Sequence, residues 1–279
     1  MNTETSTKPG TGGVTLHTIR WTPDAQPTTQ PTAEILLVHG YGEHSGRYEH
    51  VAQRLCDAGF AVTSLDHRGH GQSTGVELGT VDSFTALVDD LVSVVADIGT
   101  DTPLFVYGHS MGGLATVRLA ERSDKPFAGL IITGASLQTA ASVPKPLLTV
   151  ANLLGRVAPN LPTIQLDGDA ISRVPAVRAD YDADPMNYRG KVTTGTAREL
   201  SVAMKAAMED AARITVPVLI MHGSDDTLAD PAGSVRFSSA VGSSDRTVSI
   251  WPGCYHELHN EPEAEDVLKT IVDWIDAHR

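Results

Sequence analysis

The sequence predicts an α/β fold, a mostly parallel central sheet with helices on both faces, interrupted late by a long helical insertion. Three observations predict it. Short apolar, β-branched runs alternate with amphipathic helical stretches through the first half of the chain, the pattern of a parallel sheet covered on both sides. That alternation stops after Ala135 and resumes at Val216. In between lie roughly seventy-five residues with Pro144, Pro146, Pro159, Pro162, Pro175 and Pro185 and no convincing strand, too long for an ordinary connection. Finally, residues 104–113 read Leu-Phe-Val-Tyr-Gly-His-Ser-Met-Gly-Gly, an apolar strand running into a tight glycine turn with a helix-forming stretch directly behind it.

In chain order, residues 1–13 are polar and Thr/Gly-rich and are expected to form a disordered tail. Residues 14–279 are expected to form one domain, with the insertion at about 136–213 read as a cap or lid. A first strand is placed at 14–21 and a Pro/Thr/Gln-rich surface loop at 22–32. A buried strand at 34–39 leads to a helix over 47–58, whose inner face carries Val51, Ala52, Leu55 and Cys56 and whose end is marked by Gly59. A strand follows at 60–65. The helix at 83–98 repeats Phe84, Leu87, Val88, Leu91, Val95 and Ile98, the stripe of a helix lying on a sheet. After the strand–turn–helix around Ser110 comes a strand at 129–134. Beyond the insertion the chain reads strand 216–222, helix 232–241, strand 247–251 and a last helix 261–278, with Asp230 as an N-cap.

Composition narrows the function. The chain has 279 residues and a net charge of −13, without a run of Lys or Arg, which excludes nucleic acid as a partner and disfavours anionic membrane surfaces. Its two cysteines, Cys56 and Cys254, are read as unpaired thiols. The first residues have no apolar core of a signal peptide and no span approaches the length of a membrane helix, so a cytoplasmic protein is expected. His39, His44, His50, His67 and His70 crowd one region, but on different loops and without a zinc-ligand spacing; no metal and no cofactor are expected. His67 and His70 are expected instead to hold their glycine-rich turn together.

The chemistry centres on Gly108-His109-Ser110-Met111-Gly112, a G-x-S-x-G turn between strand and helix. Glycines beside the serine allow a sharp backbone turn that a Cβ would obstruct, so the hydroxyl stands out at the strand's carboxyl end. A serine hydroxyl needs a base, and the base needs a group that holds its tautomer. The strand at 216–222 ends in Gly223-Ser224-Asp225-Asp226, which offers two acids; Asp226 is favoured, and Asp225 is the alternative. The loop after the last strand offers His256 and His259; His256, nearer the strand end, is taken as the base and His259 as a pocket residue. The order serine, aspartate, histidine is that of α/β-hydrolases. The oxyanion of the tetrahedral intermediate needs amide donors, and the N–H groups of Met111 and Tyr41 are the candidates.

Taken together, His39-Gly-Tyr-Gly-Glu-His-Ser-Gly-Arg-Tyr48, Asp66-His-Arg-Gly-His-Gly-Gln-Ser73, the Ser110 pentapeptide, Gly223-Ser-Asp-Asp226 and Tyr255-His256 resemble the monoacylglycerol lipases of the serine α/β-hydrolase superfamily. The pentapeptide alone identifies the superfamily, whereas the first, ten-residue motif is far more specific. The resemblance implies that Glu43, Arg47 and His259 belong to a pocket for the glycerol head group and that Tyr181, in Tyr181-Asp-Ala-Asp184-Pro185, faces it from the cap. It further implies a mobile amphipathic cap that opens towards lipid. The residues agree: a monoglyceride needs a few convergent polar groups at one end of its site and an apolar tunnel at the other. Cap residues Leu147, Leu148, Val150, Leu153, Leu154 and Val157 are candidates for the tunnel. The expected reaction is hydrolysis of a monoacylglycerol to fatty acid and glycerol through an acyl-enzyme on Ser110. Any membrane contact is expected to be apolar, through the cap. The alternatives are a lysophospholipase, thioesterase or general carboxylesterase on the same residues, or a lipid-binding homologue that does not turn its ligand over.

Overall fold

The computed structural model of the chain describes residues 1–24, 30–99, 101–139 and 145–279, the side chains at 145–148 and 150 excepted. The strands are Asn2–Pro9 (β1), Thr15–Thr22 (β2), Glu34–Val38 (β3), Ala61–Leu65 (β4), Leu104–His109 (β5), Gly129–Thr133 (β6), Pro162–Gln165 (β7), Lys191–Thr193 (β8), Val218–Gly223 (β9) and Arg246–Trp251 (β10). All but β7 and β8 share one sheet, in the order β1-β2-β4-β3-β5-β6-β9-β10. β1 and β2 run antiparallel at one edge, and every other neighbouring pair from β4 to β10 is parallel. The α/β prediction therefore holds.

Why the inner strands pair this way follows from their composition. Each is apolar through most of its length and buried on both faces, and the two-residue period sends alternate side chains into two separate cores. Leu36, Val38, Val106, Leu130 and Ile220 enter one core, while Ile35, Leu37, Phe105, Ile131 and Leu219 enter the other. Helices Phe84–Asp97 (with Glu49–Asp57 before it in the chain, these are α2 and α1) and Met111–Ala120 (α3) flank the sheet. The apolar residues of α2 and α3 complete the first core, and those of α1 complete the second. Ser83 caps α2, its hydroxyl accepting the Ala86 N–H at 3.2 Å. The 47–58 helix starts later than expected: Ser45–Tyr48 forms a 3-10 turn and the α-helix begins at Glu49. Gly59 ends it with φ +88°.

The remaining helices are Lys145–Val157 (α4), Pro175–Ala183 (α5), Thr194–Asp210 (α6), Pro231–Ala240 (α7) and Ala264–His278 (α8). Asp230 caps α7 as expected, accepting the Ala232 N–H at 2.9 Å. From α8, Trp274 meets Phe105 edge-on, ring centroids 5.9 Å apart. Among the described residues no helix is long and apolar enough to cross a membrane.

Two expectations are corrected. The first residues are not a disordered tail: β1 pairs with β2 residue for residue, from Asn2 opposite Thr22 to Pro9 opposite Thr15. The stretch is polar because an edge strand with both faces in water has no apolar alternation to display, and its Thr-rich sequence suits a strand. Lys8 pairs with Asp97, and Arg68 Nη2 donates to Thr11 O at 2.7 Å, tying the hairpin to the domain. The segment between β6 and β9 does contain strands: β7 and β8 pair antiparallel. They are four and three residues long, too short for periodicity to reveal. The inserted segment is anchored to the sheet-end loops by Tyr188 N–H on Gly42 O (3.0 Å) and by His44 against Asp184 (2.8 Å).

Candidate active site

Ser110 follows the last residue of β5 and precedes the first of α3, and it holds φ 54°, ψ −119°. Among the described residues it is the only non-glycine with positive φ. A conformation of this kind costs about 1–3 kcal/mol and persists where its surroundings over-determine it. They do so here. Ser110 N–H donates to Thr133 O at 2.9 Å, and Ser110 O accepts from Leu114 N–H at 3.1 Å and Ser136 N–H at 3.0 Å. The flanking glycines are required by close approach: a Cβ on Gly108 would overlap Gly112 O and Thr116 Oγ1, and one on Gly112 would overlap Val38 O. The turn is thus pressed against the end of β3.

The loop after β9 brings in Asp226. Its Oδ1 accepts the N–H groups of Leu228 (2.8 Å) and Ala229 (3.0 Å), and its Oδ2 meets His256 Nδ1 at 2.6 Å and His222 Nε2 at 2.9 Å. Burial alone would raise its pKa, but the adjacent His256 and the imidazole hydrogen bonds hold it well below the usual carboxylate range. Asp225 points away, exposed and bonded to the Ser224 hydroxyl. His256, on the loop after β10, is buried; burial lowers its pKa, but Asp226 and then Glu257 and Glu43 outweigh this and raise it. With Nδ1 on Asp226, Nε2 is left for the cavity. Ser110 and His256 both line that cavity, of about 220 Å³. Among the described residues Ser110 Oγ is hydrogen-bonded to Ser136 Oγ, at 3.4 Å, and not to His256. Catalytic contacts of this kind commonly tighten only when substrate is bound.

Neither the Tyr41 nor the Met111 N–H has an acceptor among the described residues. The Tyr41 side chain is spent elsewhere, its hydroxyl donating to Gly79 O at 2.7 Å. Gly40, between His39 and Tyr41, donates its N–H to Glu43 Oε1 at 2.5 Å, and a Cβ there would lie 2.7 Å from that oxygen and 3.1 Å from Ser110 Cβ. His67 and His70 hold their turn, His70 Nδ1 lying 3.0 Å from Arg68 O, and His39 joins them: His39 Nε2 accepts the His67 N–H at 2.9 Å, and His67 Nε2 donates to His39 O at 3.0 Å.

At the polar end of the cavity Glu43 also accepts from Tyr48 OH (2.7 Å) and Arg47 Nη1 (2.6 Å). Arg47 then forks onto Glu257, Nη1 to Oε1 at 2.7 Å and Nη2 to Oε2 at 2.9 Å, with its guanidinium 4.9 Å above the Tyr181 ring. One cation serves two buried carboxylates. Burial raises the pKa of Glu43 against the pull of Arg47, whereas for Glu257 Arg47 overcomes burial and lowers it. Tyr181 lines the cavity, but its hydroxyl donates to Gly42 O at 3.0 Å. His259 is not among the lining residues; it is buried and stacked on Tyr48, centroids 4.8 Å apart. The apolar wall includes Ile164, Leu166, Val192, Leu200 and Met204. Of the tunnel candidates, the side chains of Leu147, Leu148 and Val150 lie outside the described residues, while Leu153 and Val157 face solvent.

Sequence reasoning missed Glu257, His222 and Ser136. Glu257 directly follows His256, and its position in Tyr-His-Glu was the available signal. Among the described residues one group, Cys254, Glu261 and Glu263, has the spacing of metal ligands. The Arg173 guanidinium occupies it, paired with both carboxylates and 3.5 Å from the thiol sulfur.

A mostly parallel sheet with helices on both faces, carrying a strained serine at the strand–helix turn over a cavity, defines a serine hydrolase of the α/β-hydrolase class. Residues 29–263 match the family model described as serine aminopeptidase, S33. The chain is 41% identical over 271 residues to a monoacylglycerol lipase of Mycolicibacterium smegmatis, covering 96% of this chain and 95% of that protein. It superimposes on the crystal structure of Paleococcus ferrophilus monoacylglycerol lipase with a TM-score of 0.85 at 31% identity, over 95% of this chain and 99% of that one. A soluble variant of Saccharomyces cerevisiae monoglyceride lipase, in complex with a substrate analog, matches with a TM-score of 0.88 at 25% identity, over 99% and 95%. The chain belongs to the monoacylglycerol lipase family.

Proposed function

We propose that this enzyme hydrolyses monoacylglycerols to a free fatty acid and glycerol, with Ser110, His256 and Asp226 as its catalytic triad. Ser110 Oγ attacks the ester carbonyl while His256 Nε2 takes its proton, and Asp226 holds the imidazole in the tautomer with its proton on Nδ1 and stabilises the imidazolium. The N–H groups of Tyr41 and Met111 receive the oxyanion. His256 returns the proton to the leaving glycerol oxygen, and water activated by the same nitrogen then releases the fatty acid from the acyl-enzyme.

The observation that carries this reading is the Asp226–His256 hydrogen bond of 2.6 Å at the wall of the cavity that Ser110 enters in a strained turn. The polar end of that cavity supports a neutral diol head. Arg47 is neutralised by Glu43 and Glu257, so it has no charge left over for a phosphate, and a phosphorylated head would meet two carboxylates. Glu43, Arg47 and Tyr181 shape this head-group end, with His259 supporting Tyr48 from behind. The segment at about 136–213 acts as the cap, its wall residues receiving the acyl chain. Its outer surface presents Leu153 (65% exposed) and Val157 (80% exposed), an apolar contact for lipid on a protein too acidic to rely on anionic headgroups.

The test is fluorophosphonate labelling of wild type and Ser110→Ala, followed by turnover of monoolein beside lysophosphatidylcholine. Labelling that depends on Ser110 and turnover confined to monoolein are expected. Equal turnover of the lysophospholipid would overturn the substrate assignment.

A further inference from the structure

One oxygen of Asp226 carries two imidazoles. Oδ2 lies 2.6 Å from His256 Nδ1 and 2.9 Å from His222 Nε2, while Oδ1 is occupied by two main-chain amides. A carboxylate only accepts, and the Ala229 carbonyl oxygen also lies 3.3 Å from the same His222 nitrogen. His222 Nε2 therefore carries a proton in either charge state of the ring. Nδ1 lies 2.8 Å from Ser234 Oγ, a hydroxyl that can donate to a bare nitrogen or accept from a protonated one. His222, the next-to-last residue of β9, and Ser234, early in α7, are both wholly buried, and neither lines the cavity.

We propose that His222 is a positioning residue for the catalytic acid, sharing Oδ2 of Asp226 with His256 and so fixing the carboxylate's rotation and limiting how tightly it holds a proton on His256. The inference rests on the triad reading above. An acceptor oxygen that divides its charge between two donors binds each less strongly than it would bind one alone, and hydrogen bonds to a charged form stabilise that form. With His222 in place Asp226 orients His256 without making it so basic that it arrives at the reaction already protonated. The other groups facing His256 are the His109 ring, centroids 4.7 Å apart, Glu257 next in the chain, Glu43 and His259. Asp226 itself is faced by His222, His256 and the His109 ring, with Asp225 turned to solvent. Changing His222 leaves all of these in place.

His222→Gln and His222→Asn separate the two ends of the ring. A Gln amide nitrogen reaches the place of Nε2 and keeps the donor on Asp226; an Asn amide reaches only the place of Nδ1, keeping Ser234 and losing Asp226. The acidic limb of the kcat/KM pH profile is expected to move up by about 0.5–1 pH unit in His222→Asn, with a lower plateau, and to stay at the wild-type position in His222→Gln. The low-field proton resonance of the His256–Asp226 hydrogen bond is expected to shift in the same variant only. If His222→Asn does not fold, His222→Leu removes the same donor and is read the same way. A lower plateau with an unmoved limb would reduce His222 to packing and overturn the proposal, leaving the triad intact. Wild-type turnover in Asp226→Asn would instead remove the triad reading and this proposal with it.

Discussion

Replacing Arg47 by Met removes the single cation from between two buried carboxylates while keeping the side chain's length. Three charged hydrogen bonds disappear, one to Glu43 and two to Glu257. Glu43 retains the Gly40 N–H and Tyr48 hydroxyl, and Glu257 retains Asn260 Nδ2, so neither is left without a donor. Stranding buried charges in this way costs about 3–5 kcal/mol. At this chain length that corresponds to a fall in Tm of roughly 5–9 °C. The pH dependence adds a second, sharper expectation. Glu257, with its folded pKa lowered, contributes stability that is present above its unfolded pKa and lost as pH falls through the folded one. Glu43, with its folded pKa raised, contributes stability that is present below its unfolded pKa and lost as pH rises. Without Arg47 both carboxyls are left to burial, both take up protons more readily, and the deficit is full at about pH 8 and shrinks towards about pH 5. Urea unfolding of wild type and Arg47→Met at the two pH values measures this. A deficit below about 1 kcal/mol, or one unchanged between the two pH values, would refute the reasoning.

Asp226→Asn should lower kcat by about 10⁴, since an amide cannot hold the imidazole tautomer, whereas Asp225→Asn, whose side chain meets only Ser224 in solvent, should be near wild type; steady-state kinetics of the pair decide it. Because the pKa of His256 is raised and catalysis needs the neutral base, kcat/KM should fall with decreasing pH through a limb centred above 6.5, and a limb below that value would contradict the environment described. Gly112→Ala should destabilise severely, because its Cβ meets the Val38 and His39 carbonyls, which are main chain and cannot turn aside; a thermal melt within a degree or two of wild type would show that β3 and α3 are less closely packed.

Much of the fold and of the site was legible in the sequence. The buried strands announced themselves because a strand covered on both faces is apolar along nearly all its length, as in the Ile-Leu-Leu-Val run of β3. Ser110 was legible because Gly108 and Gly112 are both there for contact reasons that only glycine satisfies. What escaped were features decided by which groups meet in the fold and not by local pattern. Nothing local in Asn-Thr-Glu-Thr-Ser-Thr-Lys-Pro says that β2 will pair with it, because both of its faces meet water. Glu257 and Arg47 are separated by 210 positions, so their fork existed only once the fold had closed. His222 reads as one more strand residue until Asp226 is seen turning back towards it.

The cavity is assembled from two stretches of chain with unequal duties. Ser110, His256, Glu43 and Arg47 line it from outside the segment between β6 and β9, whereas Ile164, Leu166, Val192, Leu200 and Met204 line it from within that segment. Exchanging that segment for another would therefore replace the apolar wall and leave Ser110 and His256 where they stand. Tyr181 is the seam where a graft must match, since its hydroxyl rests on Gly42 O and its ring on Arg47.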